Sequence, residues 1–153
     1  MYHLYRQQWL NCHLEQAWSF FSSPRNLDRL TPKSVGFKIT HLQSEQMHPG
    51  QIITYKIKVA PMVWLSWMTE ITQVVPMDSF IDDQRLGPYK VWHHCHKFKE
   101  QDGGVLMSDE VNYAMPFGPL GKLVHKLYVK QQLQHIFDER ARLCDEIFNA
   151  ATS

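Results

Sequence analysis

The order of apolar and polar positions divides the chain into one alternating region and one helical region. Tyr2 to Leu10 alternates loosely and predicts a first strand. Leu14, Ala17, Trp18 and Phe21 recur at helical spacing, and Ser22-Ser23-Pro24 ends that helix. Asn26 to Leu30 predicts a second short helix, with Asn26 as its N-cap and Pro32 as a stop. Phe37 to Leu42 predicts a short strand, and Pro49-Gly50 a turn. In Gln51 to Val59, Ile53, Tyr55, Ile57 and Val59 alternate with Ile52, Thr54, Lys56 and Lys58, and Ala60-Pro61 breaks the run. A long strand follows, with Val63, Leu65, Trp67, Thr69 and Ile71 on one face, closed by Pro76. Ser79 to Leu86, a strand from Val91, and a last strand reaching Met115 complete the series.

From Leu120 to Asn149 the period changes. Val129, Leu133, Ile136, Phe137, Leu143, Cys144, Ile147 and Phe148 mark a long amphipathic helix. Leu120, Leu123, Val124 and Leu127 form an earlier stripe out of phase with it, which predicts a bend or interruption near Lys130. Phe117-Gly118-Pro119 reads as the turn that aims this helix. The order is β-α-α, six strands, then α. Strands joined by short turns form an antiparallel meander whose apolar face needs a cover. The expected fold is α+β: a curved six- to seven-stranded antiparallel sheet wrapped around a long C-terminal helix, with two short helices after the first strand. No composition shift or linker divides it, so residues 1–153 are expected to form a single domain.

Alternation within Val91-Trp92-His93-His94-Cys95-His96-Lys97-Phe98 sends Trp92, His94, His96 and Phe98 to one face, and His93, Cys95 and Lys97 to the other. Asp102-Gly103 is a strong hairpin signal. A turn centred there sets Phe98 opposite Met107, His96 opposite Asp109, His94 opposite Val111 and Trp92 opposite Tyr113. A turn centred on Pro88 sets Asp82 opposite His94 and Gln84 opposite Trp92. A polar patch of Asp82, Gln84, His94, His96, Asp109 and Tyr113 on an apolar face is costly unless its members pair. It is either an internal network, pairing Asp82 with His94 and His96 with Asp109, or a site.

Composition narrows the classes. Hydrophobic residues make up 44% and charged residues 20%, as in ordinary globular chains, which argues against disorder. The net charge of +1 supplies no basic field for nucleic acid or an anionic membrane. Cys12, Cys95 and Cys144 cannot all pair and show no zinc-motif spacing, so they read as free thiols in a reducing compartment. The opening residues have no apolar core of signal-peptide type, and no apolar run reaches transmembrane length. A cytoplasmic location is expected, with no membrane insertion.

Several strings carry a resemblance to a known family. They are Trp18-Ser19-Phe20-Phe21-Ser22-Ser23-Pro24, Asn26-Leu27 to Thr31-Pro32, Gly50-Gln51-Ile52-Ile53-Thr54-Tyr55, Trp67 to Ile71, and Phe80-Ile81-Asp82-Asp83-Gln84. The most specific is Gly87-Pro88-Tyr89-Lys90-Val91-Trp92-His93-His94-Cys95-His96-Lys97-Phe98, with Asp109 to Tyr113 and Pro116 to Gly121 completing the set. With the element order, these resemble the SRPBCC superfamily (START or Bet v 1-like, helix-grip), and within it the bacterial "ligand-binding SRPBCC domain" group. Cys95 departs from the group's usual acidic residue there, and Val105-Leu106 from its usual polar pair. The resemblance implies a cavity for a small, largely apolar molecule; superfamily members carry lipids, sterols or hormones, and some cyclise or dehydrate polyketides. No ligand carries over residue by residue.

The leading expectation is a binder of a small hydrophobic or aromatic molecule. Its site would comprise Trp67, Asp82, Gln84, Trp92, His94, His96, Phe98, Asp109, Val111, Tyr113 and Phe137. Met115 would add to the sheet wall, and Leu133 and Cys144 to the helical lid. One alternative is a cofactor-independent cyclase or dehydratase, with His94 or His96 as base, tuned by Asp82 or Asp109, and Tyr113 as acid. Another is a regulatory module with a filled core. A serine or cysteine hydrolase is disfavoured, because no nucleophile elbow occurs and Cys95 faces away from the histidines. His94, His96 and a flanking carboxylate have the residue types for zinc or iron. Yet strand neighbours two apart are separated by about 7 Å at the backbone and must lean together to share an ion. No cofactor or metal is assigned on sequence alone, and the chain is expected to be a monomer or homodimer.

Overall fold

The structure is a computed structural model and describes residues 1–32, 36–60 and 62–150. β1 (Tyr2–Leu10) leads into α1 (Leu14–Phe21), a 3-10 turn (Pro24–Asn26) and α2 (Leu27–Leu30). Then come β2 (Phe37–Leu42), β3 (Gln51–Ala60), β4 (Val63–Val75), β5 (Ser79–Leu86), β6 (Val91–Gln101) and β7 (Gly104–Ala114). A continuous C-terminal helix contains α3 (Gly118–Val124), a π turn (His125–Val129), α4 (Lys130–Cys144) and a final π turn (Asp145–Asn149). The expected break at Pro61 lies outside the described residues. No helix among the described residues is long and apolar enough to cross a membrane.

Asn26 ends a 3-10 turn that runs directly into the second helix. Pro24 starts the helical turn earlier, and the Asn26 side-chain amide donates to the Phe20 carbonyl at 2.9 Å. The seven strands form one antiparallel sheet in the order β1-β7-β6-β5-β4-β3-β2. Six follow as a meander, and β1 returns to pair with β7, setting Leu4 opposite Val111 and Arg6 opposite Asp109. The β6–β7 register agrees with the alternation, from Trp92–Tyr113 to Phe98–Met107. Between β5 and β6 the ladder holds Asp82 against His94 but stops at Asp83–His93, so Gln84 does not pair with Trp92. Its side chain turns back instead, donating to the Tyr89 carbonyl at 2.7 Å.

Two irregularities bend the sheet beside this ladder. Ile71 pairs with Asp82 and Gln73 with Ile81, leaving Thr72 as an extra residue on β4. Thr69 pairs with Gln84 and Met68 with Leu86, leaving Arg85 extra on β5. Such bulges increase local twist and turn a strand, and here they curve the sheet around the helix.

The helix buries Gly121, His125, Val129, Leu133, Phe137 and Cys144. Leu120, Leu123 and Leu127 are exposed, so the early stripe faces outward. Burial at every fourth residue drifts by about 40° per step in a helix of 3.6 residues per turn. The wider π turn takes up part of that drift, and this is the interruption expected near Lys130. Bonds at both ends fix the helix to the sheet. The Tyr113 hydroxyl lies 2.9 Å from His125 Nε2, and the Tyr2 ring stacks on His125 at 3.5 Å. At the far end, Gln8 donates to the Ala141 carbonyl at 2.8 Å and Asn149 to the Trp9 carbonyl at 3.0 Å.

Under this helix the interior forms two apolar clusters. Phe21, Ile71, Phe80, Phe98 and Cys144 belong to the one beside α1. Trp67, Trp92, Val111, Tyr113, Leu133 and Phe137 form the other. Along β6, Trp92 lies in the second and Phe98 in the first, so His94 and His96 fall at the junction.

The start of the helix is set by a close approach. Phe117 (φ 62°) and Gly118 (φ 51°) adopt left-handed backbone, and a Cβ on Gly121 would come within 1.9 Å of the Pro116 carbonyl oxygen. In an open helix, Gly→Ala stabilises by about 1 kcal/mol. Here the contact is with backbone, so Gly121→Ala is expected to destabilise by about 1–3 kcal/mol. Urea denaturation checks this; a gain in stability would contradict the close approach.

Candidate functional site

β5, β6 and β7 place Asp82, His94, His96 and Asp109 on the concave face of the sheet, and α4 brings Arg140 down onto them. The strongest bonds are diagonal. His94 Nε2 lies 2.8 Å from Asp109 Oδ1, and His96 Nε2 lies 2.9 Å from Asp82 Oδ2. The directly facing pairs expected from the register are secondary. His94 Nδ1 is 3.4 Å from Asp82, while His96 Nδ1 is 2.9 Å from Asp109 Oδ1 without the alignment of a hydrogen bond. The diagonal wins because Phe80, not Asp82, faces His96 on β5 and stacks on it at 4.2 Å, which leans the imidazole toward Asp82. The two imidazoles lie 3.8 Å apart between two carboxylates, each ring presenting one nitrogen to each carboxylate.

Arg140 carries no signal in the helical spacing, because the helix hides whether a long polar side chain lies over the core or over solvent. Its Nη2 is 3.7 Å from Asp109 Oδ1, and its Nε is buried without a partner. Burial opposes ionisation of Asp109, but Arg140, His94 and His96 outweigh it and hold the carboxyl well below the usual range. Burial likewise opposes ionisation of Asp82, and His94, His96 and Arg140 again hold it low. Burial and the neighbouring His96 push His94 down, so it stays neutral. Burial also acts against charge on His96, but its contacts with Asp109 and Asp82 raise it. Two carboxylates held in the ionised form therefore face the Arg140 guanidinium and the two imidazoles, of which His96 is the one the carboxylates favour for a proton.

A cavity of about 390 Å³ lies between the sheet, α2 and the helix face from Val124 to Arg140. Leu30, Ile57, Leu65, Trp67, Trp92 and Leu133 supply apolar wall, and Asp82, His94, His96 and Arg140 a polar end. Of the eleven residues named from sequence, Trp67, Asp82, Trp92, His94, His96 and Phe137 line this space.

The other five do not. Gln84 holds the Gly87–Tyr89 turn. Phe98 packs in the cluster beside α1, and Val111 lies beneath the wall in the other cluster. Asp109 sits behind the two histidines and touches a separate small hollow toward Arg6 and Ala141. Tyr113 gives its hydroxyl to His125. Cys144 also packs away from the cavity, with its thiol pushed up to about 11 by burial. Leu133 and Met115 do line it. Sequence reasoning missed Tyr55, Tyr89 and Arg140 in the lining; only the alternation of Tyr55 with Ile53 and Ile57 pointed inward. His93 lies on the outer face, 2.7 Å from Asp83, apart from the inner cluster.

Stability should follow the protons. The Asp82 and Asp109 contributions are present above the ordinary carboxylate value of about 4 and are lost as pH falls through their depressed values. Raised His96 stabilises below about pH 6.5 and loses that contribution as pH rises through its higher value, while lowered His94 costs stability on acidification below about 6.5. The His94 loss falls below about pH 6.5 and the His96 loss above it, so together they place a stability maximum near that pH, with the carboxylate limb added below about 4. Asp109→Asn is expected to flatten the decline below about pH 4 and to cost about 3–5 kcal/mol at pH 7, since Arg140 loses its counter-charge and the imidazoles a carboxylate partner. His96→Ala is expected to cost about 1–3 kcal/mol. Urea titrations from pH 3 to 8 check both; an unchanged acid limb in Asp109→Asn, or unchanged stability in His96→Ala, contradicts the pairing.

No protein-family model matches the sequence, and no curated protein is similar to it in sequence. Solved structures do match the fold. Protein Ms6760 from Mycobacterium smegmatis aligns with a TM-score of 0.70 at 18% identity, covering 95% of this chain and 89% of that one. TTHA0849 from Thermus thermophilus aligns at 0.71 and 15% identity, covering 99% of both chains. Ara h 8.0201 aligns at 0.63 and 18% identity, covering 94% of this chain and 97% of that one. The seven-stranded curved sheet closed on a long C-terminal helix is therefore the helix-grip fold that the resemblance to the SRPBCC superfamily implies.

Proposed function

We propose that this protein binds a small, largely apolar or aromatic molecule between the sheet and the C-terminal helix, with the polar end of the molecule against Asp82, His94 and His96. The observation that carries this reading is the cavity of about 390 Å³, apolar along its walls and ending on a polar histidine–aspartate cluster. Ligand sites commonly combine apolar walls with few convergent polar groups. Trp67 and Trp92 meet edge to face at 5.4 Å, and Tyr89 packs on Trp92 at 4.8 Å, forming a rigid aromatic wall suited to a flat ligand. A filled-core interaction module fits this interior less well. The three free cysteines suit a reducing, cytoplasmic setting.

The enzymatic reading keeps a histidine on the cavity wall but loses its acid, since the Tyr113 hydroxyl is engaged by His125. Thiol chemistry is not favoured either, because burial raises Cys12, Cys95 and Cys144 alike.

The test is titration of the metal-free full chain with N-phenyl-1-naphthylamine, a neutral aromatic probe, followed by its fluorescence. Saturable binding is expected, weakened at least about tenfold (about 1.4 kcal/mol) in Trp92→Ala and blocked in Leu133→Trp, which fills the space. Absence of binding, or equal affinity in both variants, would overturn the reading.

A further inference from the structure

The two imidazoles and two carboxylates leave one mismatch. Four ring nitrogens each face a carboxylate oxygen, at 2.8, 2.9, 2.9 and 3.4 Å. A neutral imidazole carries one N–H and one bare lone pair, and an imidazolium carries two N–H groups. Rings 3.8 Å apart disfavour two imidazolium charges side by side. At least one bare nitrogen therefore points at a carboxylate oxygen, lone pair against lone pair. Two ring nitrogens lack a hydrogen bond: His94 Nδ1, 3.4 Å from Asp82 Oδ2, and His96 Nδ1, 2.9 Å from Asp109 Oδ1 but out of line with it.

A cation on the Asp82 side removes the opposed lone pairs there. Both imidazoles can then be neutral, with His94 Nε2–H bonded to Asp109 Oδ1 and His96 Nδ1–H 2.9 Å from the same oxygen, needing a small ring rotation to align with it. His94 Nδ1, His96 Nε2 and a carboxylate oxygen of Asp82 would turn lone pairs on the ion. These groups lie within 4.8 Å of one another and are the members of the cluster that line the cavity. Bonds of about 2.0–2.1 Å place neighbouring donors about 2.9 Å apart in octahedral geometry and about 3.4 Å in tetrahedral geometry. Asp82 Oδ2 stands 2.9 Å from His96 Nε2 and 3.4 Å from His94 Nδ1. A carboxylate on the outer nitrogen of a ligating histidine fixes its tautomer and orientation; Asp109 bonds that nitrogen of His94 and lies 2.9 Å from that of His96. Arg140 pairs with Asp109, balancing that outer carboxylate, and so leaves the imidazoles and Asp82 to the ion.

The geometry points to a divalent transition-metal site formed by Asp82, His94 and His96, with its open coordination positions facing the cavity. Two nitrogens and one carboxylate oxygen suit zinc or ferrous iron rather than calcium or magnesium. Three protein ligands leave room for water or for an oxygen of a cavity ligand. The site does not depend on the apolar ligand, and metal alone tests it.

The experiment is titration of the full chain with Co²⁺, followed by visible absorption, and equilibrium dialysis with Zn²⁺. One ion per chain is expected. Asp82→Ala and His94→Ala should abolish that binding, and Asp109→Asn should weaken it by about ten- to a hundredfold. His93→Ala, which removes the outer-face His–Asp pair, should leave it unchanged. Because the inner variants can also unfold the chain, ¹⁵N spectra of the unmutated protein provide the second measurement: Zn²⁺ should shift the His94 and His96 ring nitrogens. No stoichiometric binding, binding unchanged in Asp82→Ala, or shifts confined to other histidines would overturn the site.

Discussion

Asp109 is buried and Asp82 largely so, and both are held in the ionised form; a buried carboxylate without a counter-charge costs several kcal/mol. The fold answers from two directions. β6 supplies two imidazoles at alternate positions, and α4 supplies a guanidinium from above. The bulge at Thr72 bends β4 where Ile71 meets Asp82. Buried charge also resists slippage: moving β6 by one residue would replace His94 and His96 with His93 and Cys95 and leave Asp109 facing a thiol. The cluster thus favours one strand register while leaving two buried nitrogens, His96 Nδ1 and Arg140 Nε, without hydrogen bonds.

Its position explains why the interior is divided. Trp92, His94, His96 and Phe98 occupy successive inward positions of one strand, so the polar pair separates two apolar clusters. Beside α1 the rings close on one another: Phe21 stacks with Phe148, and Trp18 meets Phe80 and Phe98 edge to face. On the other side the aromatic residues stand along the walls, and the space remains open. The helix is pinned at His125 and again at Asn149, so it spans the cavity between its anchors. The polar cluster forms the inner end of that space and is shielded from water by the same residues that would enclose a ligand, which strengthens its electrostatics.

Much of the fold was legible because strands with one wet face write their structure in period two. The alternation at Trp92, His94, His96 and Phe98, and the Asp102-Gly103 turn, were enough to set His96 against Asp109 and Asp82 against His94. Legibility failed where a side chain is long or a helix changes phase. Which carboxylate an imidazole leans toward depends on what stacks behind it, and Phe80 decides that for His96. Arg140 is a charged residue on a helix, and nothing in its spacing says that it faces inward. Leu120, Leu123 and Leu127 read as a buried stripe, yet the chain buries Gly121 and His125 there, because a close backbone approach and a hydrogen bond to Tyr113 outweigh hydrophobicity. Tyr113 was assigned to the site for the same reason: its face was correct, but its partner lay on an element whose phase the sequence did not reveal.

The account depends on an open cavity that ends on the histidine–aspartate cluster. A crystal structure of the protein as purified, at a resolution that separates individual side chains, tests this most directly. The account predicts that Trp92 and Phe137 remain against the walls, with electron density for a bound molecule or ion in contact with Asp82, His94 or His96. An interior closed by rotation of Trp92 or Phe137 into the space, with the cluster sealed off from it, would contradict the account.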